Sequence, residues 1–499
     1  MIFKSVSNLN TKTEKTFFLE QINVYIRLTE VFIEKYNKSV DGILNEPNIG
    51  ELQSIGVIED EREIDELKKV LGKQYNEFIK AVNFAVANRD EMGGMLDKLS
   101  NKERQLLQQK AARKKKYTMV DFFCGAGGLS LGFIQKGFTV KLANDIEDVC
   151  IETYKYNHPE LPSDKLIQGD IKEIVDNIDG YVTQEIDIVV GGPPCQGFSE
   201  ANRQRVIDDP RNKLYKYFVK AVEKIAPKFV VMENVKGMLK VADQVVEDYG
   251  KLRVKDGCSY LVAYRLLNSQ NFSVAQSRER LIYIAIRSDI AEEKNITPDE
   301  IFDLIEKSCK NHKTYNLADA LNDIKPLDAP RIKNMNEVDS ETTGKKIDVN
   351  YDDQNNNEYL QLINMERKIP FLFNHKARYC SDVNYEIYKR LNQGDDATDE
   401  KIKDIMPYAH RNHCFKDKYY KLVADRPCRT ITAHLRMDCH SHIHPYQTRA
   451  LTPREAARVQ SFPDDYLFLG AYLKTYMQVG NAVPPMMARG IAAVIKKYI

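Results

Sequence analysis

Short apolar runs alternating with helical patterns begin at Tyr117, and no other feature narrows the possible folds as much. The runs are Thr118–Phe123, Thr139–Ala143, Ile186–Val190, Phe229–Met232 and Leu281–Ile286. Continuous apolar character marks strands that are buried on both faces. Strands separated by helical stretches build α/β domains around a mainly parallel sheet. The expected fold class is therefore α/β. At 499 residues the chain exceeds one ordinary domain, so further units must flank that sheet.

Residues 1–115 read as helical. Phe18, Ile22, Tyr25, Phe32, Ile33 and Tyr36 recur at helical spacing, as do Ile64, Leu67, Leu71, Phe78, Ile79 and Val82. No chemistry is visible there, and the region ends in Arg113-Lys114-Lys115-Lys116. Such a charge run is usually a solvated face, which favours a helical extension with a basic linker over a DNA-binding or partner-binding module. The α/β domain is expected over 116–290, and a less regular region follows over 291–450. Within it, Asn334–Glu358 is polar and aperiodic and is expected to be a loop or a locally disordered insertion. Residues 451–499 are regular again: Thr452–Ser461 reads as a helix with Pro453 in its first turn, and Pro485–Tyr498 as a closing helix.

Composition removes several classes of function. With 43% hydrophobic and 29% charged residues, the chain has the balance of a globular protein. No run approaches the roughly 20 apolar residues of a membrane helix. Met1–Val6 carries no basic-to-apolar export signal, so a cytoplasmic protein is expected. Nine cysteines at no framework spacing read as reduced thiols. A net charge of +1 excludes coating nucleic acid by bulk charge but allows a local basic cleft.

Asp121-Phe122-Phe123-Cys124-Gly125-Ala126-Gly127-Gly128 joins the first strand to a helix. Glycines there permit a tight turn and close backbone approach to a ligand. Asp145 ends the second strand, where an acid commonly meets a ribose hydroxyl. Gly169-Asp170-Ile171 could set another carboxylate beside an adenine amino group. The late glycine of dinucleotide sites is missing, and so is a Walker-type lysine. The pattern suits a cofactor with adenosine but no pyrophosphate. A glycine turn that merely packs strand on helix is the plainer alternative.

Gly191-Gly192-Pro193-Pro194-Cys195-Gln196-Gly197-Phe198-Ser199 also follows a strand. Two prolines extend the backbone before Cys195, and flanking glycines admit a substrate. A lone cysteine is more often a small buried hydrophobe, but one held this way is a candidate nucleophile. Glu233 in Val230-Val231-Met232-Glu233-Asn234-Val235 ends an apolar strand, as a chemical acid or as a helix cap. Arg278 and Arg280 alternate in Gln276-Ser277-Arg278-Glu279-Arg280 and would share one face of an extended segment. They are either substrate cations or a surface salt-bridge pair.

In this order the blocks resemble the cytosine-C5 DNA methyltransferase family. Leu451-Thr452-Pro453-Arg454-Glu455-Ala456-Ala457-Arg458 and Gln478-Val479-Gly480-Asn481-Ala482-Val483-Pro484-Pro485 complete six ordered blocks over residues 117–499. The resemblance implies a Rossmann-like S-adenosylmethionine-dependent methyltransferase domain with a smaller target-recognition domain. It implies that Cys195 adds to C6 of cytosine and so makes C5 a nucleophile. Glu233 would act on N3, and Arg278 and Arg280 on the O2 edge and a nearby phosphate, with Arg280 at O2. No residue is assigned as the base that removes the C5 proton.

For the cofactor, the resemblance implies Phe123 stacked on adenine and Gly125, Gly127 and Gly128 around the methionine portion. Asp145 would bind ribose, where the family more often has Glu. Ile146 would give apolar cover where a larger ring is common. Asp170 and Ile171 would meet the adenine edge, and Pro194, Asn481 and Val483 would complete the site. The target base must be flipped out of its stack. Sequence choice falls to the region between Arg280 and Leu451, where His413, Lys416, Lys418, Arg426 and Arg429 are candidates.

A transfer-RNA cytosine methyltransferase on the same scaffold is the nearest alternative. Gly197 after Pro-Pro-Cys-Gln, and Lys416 after Cys414-Phe415, favour DNA. A non-catalytic relative would have lost Cys195 or Glu233, and a nicotinamide oxidoreductase accounts for the glycines alone. Cys439, His440, His442 and His444 are metal-ligand types without a zinc spacing, and no metal is expected. The expected partners are S-adenosylmethionine as methyl donor and double-stranded DNA, with no membrane. The chain is expected to act as a monomer in a prokaryotic or phage restriction-modification or other defence system, beside a separately encoded endonuclease.

Overall fold

The computed structural model describes residues 3–96, 98, 101–194, 213–333, 338–350, 356–407 and 418–499. Seven strands form the central sheet: β1 (Thr118–Phe122), β2 (Thr139–Asp145), β3 (Leu166–Gln168), β4 (Ile188–Gly191), β5 (Phe229–Asn234), β6 (Tyr260–Asn268) and β7 (Glu279–Arg287). Their order is β3-β2-β1-β4-β5-β7-β6. The first five run parallel, and β7 is antiparallel to both β5 and β6. Every residue of β1 and β4 is buried. Alternate residues feed two cores: Met119, Ile188 and Phe229 face one, Val120, Val189 and Val230 the other. That is why these strands read as continuous apolar runs.

Two strands of this sheet lie beyond the sequence expectation. β3 has three residues, too few for a pattern, and β6 is an edge strand with only part of its length buried. The strand order reverses between β1 and β4. In open parallel sheets, ligands bind outside the carboxyl ends of the strands at such a switch point. The closing helix, Pro485–Ile495, returns to the helix after β1, with Met487 and Ile491 in the same core as Leu129 and Phe133.

The helix Lys12–Tyr36 opens with a capping box in which Thr11 and Glu14 satisfy each other's backbone amides. Its apolar face joins Leu67, Phe78, Ile79 and Val82 in a separate core. One expectation is corrected here. Within the polar stretch 334–358, Gly344–Val349 is a strand, β8, paired antiparallel with β9 (Phe371–Lys376). Ile347 and Val349 enter the N-terminal core with Phe371 and Phe373. Only two apolar residues anchor β8, and its charges are paired, Lys345 with Asp348 at 3.6 Å within the strand and Lys346 with Glu20 outside it. So short and charged a strand leaves no periodic signal. Among the described residues no helix is long and apolar enough to cross a membrane.

Candidate active site

The turn after β1 is held from below. Gly127 has φ +86°, and a Cβ there would stand 2.7 Å from Tyr466 Oη and 2.8 Å from His158 Nε2. Tyr466 Oη donates to the Ala126 carbonyl at 2.5 Å, and His158 Nε2 lies 3.0 Å from the same hydroxyl. Deeper, Tyr154 donates to Ser130, and Ser130 to Asp121 at 2.5 Å. Burial raises the Asp121 carboxyl to about 7, against the Ser130 hydrogen bond. Burial also pushes the Cys124 thiol up, so it stays protonated. At Gly125, φ +53°, nothing stands within 4 Å of a Cβ position, which opens the turn towards the crevice.

The other residues of this end stand at the carboxyl ends of β1, β2 and β3. Phe123 is half-buried at φ +56°. Ile146 is 66% exposed, an apolar side chain left mostly to solvent. Asp170 caps the helix Ile171–Asp176 through the Lys172 amide at 2.9 Å, and Ile171 is buried. Asp145 spends both oxygens on backbone: Oδ2 accepts Gly125 N at 2.8 Å, Oδ1 accepts Glu147 N at 2.9 Å. The shorter acid therefore ties the glycine turn to β2. The Val483 carbonyl closes on Gly128, 2.4 Å from its Cβ position, while Asn481 is exposed at the end of the helix Tyr472–Asn481.

Across the switch point, Glu233 near the end of β5 faces Arg280 at the start of β7. Arg280 Nε donates to Glu233 Oε1 at 2.8 Å, with the side chains 15% and 12% exposed. Glu233 Oε2 is 3.0 Å from the Cβ position of Gly192, so the acid rests against the backbone that leads to Pro193 and Pro194. Asn234 Nδ2 donates to the Pro193 carbonyl at 3.1 Å and fixes that segment. Pro194 is exposed. Cys195, expected to be the nucleophile, lies outside the described residues, as do His413 and Lys416.

Residues 117–497 match the family model of the C-5 cytosine-specific DNA methylase. The chain belongs to that family. It is 32% identical to the Type II methyltransferase M1.HphI of Haemophilus parahaemolyticus, covering 76% of this chain and 87% of that one. It is 30% identical to the Type II methyltransferase M.AgeI of Thalassovita gelatinovora, covering 76% and 99%. Among solved structures, a DNA modification methyltransferase encoded within an E. coli prophage superposes with a TM-score of 0.56 at 25% identity, covering 77% of this chain and 99% of that one. The protein is thus a cytosine-C5 DNA methyltransferase.

In this methyltransferase Arg278 departs from its expected place at the substrate. It is fully buried, donating to the Ile431 carbonyl at 2.6 Å and the Gly480 carbonyl at 3.1 Å. Nearby, Gln276 Oε1 accepts Ile431 N at 2.7 Å, and Gln276 Nε2 donates to Gln460 Oε1 at 2.6 Å. Gln460 Nε2 in turn donates to the Val479 carbonyl at 2.7 Å. Gln276, Arg278 and Gln460 therefore knot three segments: the lead-in to β7, residues 430–431, and the block ending in Val483. Alternation predicts one face for Arg278 and Arg280; the structure covers Arg278, while Arg280 meets Glu233. Tyr466, His158 and Gln460 were not singled out from sequence, since none belongs to a periodic or spaced pattern, and Gln276 stood in the Arg278–Arg280 block without a role.

The remaining DNA-reading candidates fall together. Arg429 lies over the Tyr420 ring at 4.7 Å, and Arg426 bonds the Tyr420 hydroxyl. Lys418 pairs with Asp438 at 3.3 Å. The histidines are built into the same region. His440 Nδ1 meets the Tyr388 hydroxyl at 2.7 Å and stacks on Tyr419 at 4.4 Å. His444 Nδ1 accepts the amides of Tyr446 and Gln447, both at 3.1 Å. Among the described residues no group of three or more metal-ligating side chains stands together.

Proposed function

We propose that this methyltransferase acts on C5 of a cytosine flipped out of a specific duplex sequence, through a covalent bond from Cys195 Sγ to C6. The Glu233–Arg280 pair carries the reading. A carboxyl group and a guanidinium 2.8 Å apart match the adjoining N3 and O2 positions of cytosine. They stand beside the Gly192–Pro194 segment that leads to Cys195. As sulfur adds to C6, charge develops over N3 and O2. A proton from Glu233 to N3 and the Arg280 hydrogen bonds to O2 disperse it, and C5 becomes a nucleophilic enamine carbon. After methylation a water molecule takes the C5 proton, the C–H electrons rebuild the C5–C6 double bond, the thiolate leaves, and N3 returns its proton to Glu233.

The first crevice fits S-adenosylmethionine on its own features. Gly125 opens towards it, Ile146 offers uncovered apolar surface, and Asp170 has one oxygen beyond its cap. Phe123, Gly125, Gly127, Gly128, Asp145, Ile146, Asp170, Ile171, Pro194, Asn481 and Val483 would surround it. When bound, this cofactor supplies an electrophilic methyl group. Tyr466→Phe tests the turn that would hold it. Loss of the bond to the Ala126 carbonyl should cost about 1 kcal/mol. The affinity for S-adenosylmethionine should fall roughly fivefold by calorimetry.

The Type II relatives support a cytoplasmic role as the modification half of a restriction-modification or related defence system, with residues 291–450 choosing the duplex sequence and a separate endonuclease as partner. The same names support DNA over transfer RNA. The test is genome-wide 5-methylcytosine sequencing of a methylation-free bacterium expressing the chain. One modified motif is expected. Modified transfer RNA with unmodified DNA would overturn the proposal.

A further inference from the structure

The helix Lys12–Tyr36 meets the α/β domain through Phe17, Glu20 and Gln21, neighbours on one helical face. Both Glu20 oxygens accept the Gly470 amide, at 2.9 and 3.1 Å, and Glu20 also pairs with Lys346 of β8. Gln21 Nε2 donates to Glu152 at 2.9 Å. Phe17 packs against Val149, Cys150 and Met477. These partners share a location. Val149, Cys150 and Glu152 lie on the helix Asp148–Asn157, which starts just past Ile146. Gly470 lies two residues before, and Met477 within, the helix Tyr472–Asn481. Two segments of the proposed cofactor rim thus rest on one buttress, which comes from outside the family-matched residues 117–497.

The contact at Gly470 is close. Its φ is +93°, and a Cβ there would stand 2.7 Å from Val149 Cγ1. The Gly470 backbone therefore lies directly on the helix that follows Ile146, and Glu20 holds its amide there with a charge-assisted bond. Lys474 with Glu147, at 2.8 Å, joins the same two segments one turn further on. We propose that Glu20 is a positioning residue for the cofactor rim. It seats Gly470 on Val149 and so sets the separation of Ile146 from Asn481 through contiguous packed groups. The inference rests on the reading that S-adenosylmethionine lies between those residues. It makes residues 1–115 a part of the methylating unit and not an appendage.

The test is calorimetric titration of S-adenosylmethionine into the full chain without DNA, for the wild type, Glu20→Ala, Glu20→Gln, Phe17→Ala and, as an exposed control on the same helix, Lys15→Ala. Glu20→Ala and Phe17→Ala should bind about five- to twentyfold more weakly, the range of an ordinary coupling between sites. Glu20→Gln keeps an acceptor for the Gly470 amide and should recover most of the affinity. In turnover, KM for S-adenosylmethionine should rise in step, while kcat and KM for DNA hold. A general loss of stability would not produce that split. Wild-type affinity in folded Glu20→Ala would overturn the inference. If that variant does not fold, wild-type affinity in Phe17→Ala would do so. Glu20→Gln binding as weakly as Glu20→Ala would assign the effect to Lys346 and also overturn it. A wild-type chain that fails to bind S-adenosylmethionine would overturn the cofactor reading instead.

Discussion

Cys195→Ala will abolish methyl transfer and leave S-adenosylmethionine binding unchanged. Without the thiolate, C6 gains no nucleophile and C5 never becomes electron-rich enough to take the methyl group. Removing the nucleophile of a covalent enzyme lowers turnover by about 10⁴- to 10⁶-fold. The buried thiols among the described residues are poor substitutes. Burial holds the Cys124, Cys150 and Cys439 thiols above their ordinary pKa, and it pushes Cys428 up to about 12. A second measurement identifies the bond itself. Duplex DNA carrying 5-fluorocytosine has no proton to lose from C5 after methylation, so the thiolate cannot leave. The wild type should then show a covalent protein–DNA adduct by mass spectrometry, and Cys195→Ala none. An adduct in Cys195→Ala, or turnover within tenfold of wild type, would sink the assignment.

What could be read in advance divides by range. The α/β domain was legible because its strands are buried on both faces and because the Asp121–Gly128 and Gly191–Pro194 segments follow strands directly. Glu233 needed only its position at the end of β5. What depended on distant partners was hidden. Arg278 looks like a substrate cation in sequence, but its donors go to Ile431 and Gly480, more than 150 residues away in each case. β8 hides in a polar stretch because its apolar neighbours are supplied by residues 1–115. Tyr466 has no signal of its own, since its role exists only once the chain returns to Gly127.

The region that holds His375, His440, His442 and His444 will be the acid-labile part of the protein. Burial lowers His375 and His440 to about 4, and His442 and His444 to about 3. Unfolded imidazoles titrate near 6.5. A folded pKa below the unfolded one means that the stability is fully present above about 6.5 and is lost as pH falls towards the folded values. In that window the unfolded chain binds protons that the native one refuses, about 1.4 kcal/mol per pH unit for each imidazole. Four together give a slope of about 5 kcal/mol per pH unit at most. A whole domain is commonly stable by only about 5–15 kcal/mol, so the slope decides the outcome within two or three units. Hydrogen bonding reinforces it at one ring. His444 Nδ1 already accepts two amides, whereas the Lys325 carbonyl, 2.7 Å from His375 Nε2, works against the lowering at that ring. Protonation of His444 at Nδ1 must break both bonds beside Arg449, whose charge opposes it further. Glu455 pulls the other way, but Arg449 already claims both of its oxygens, at 2.8 and 2.6 Å. Thermal melts followed by near-ultraviolet circular dichroism should show a midpoint that is level above pH 7 and drops steeply between 6.5 and 4. His440→Phe, which keeps the stack on Tyr419, should make the drop shallower by one proton. A midpoint that stays level down to pH 5 would show that these imidazoles titrate freely in the folded protein.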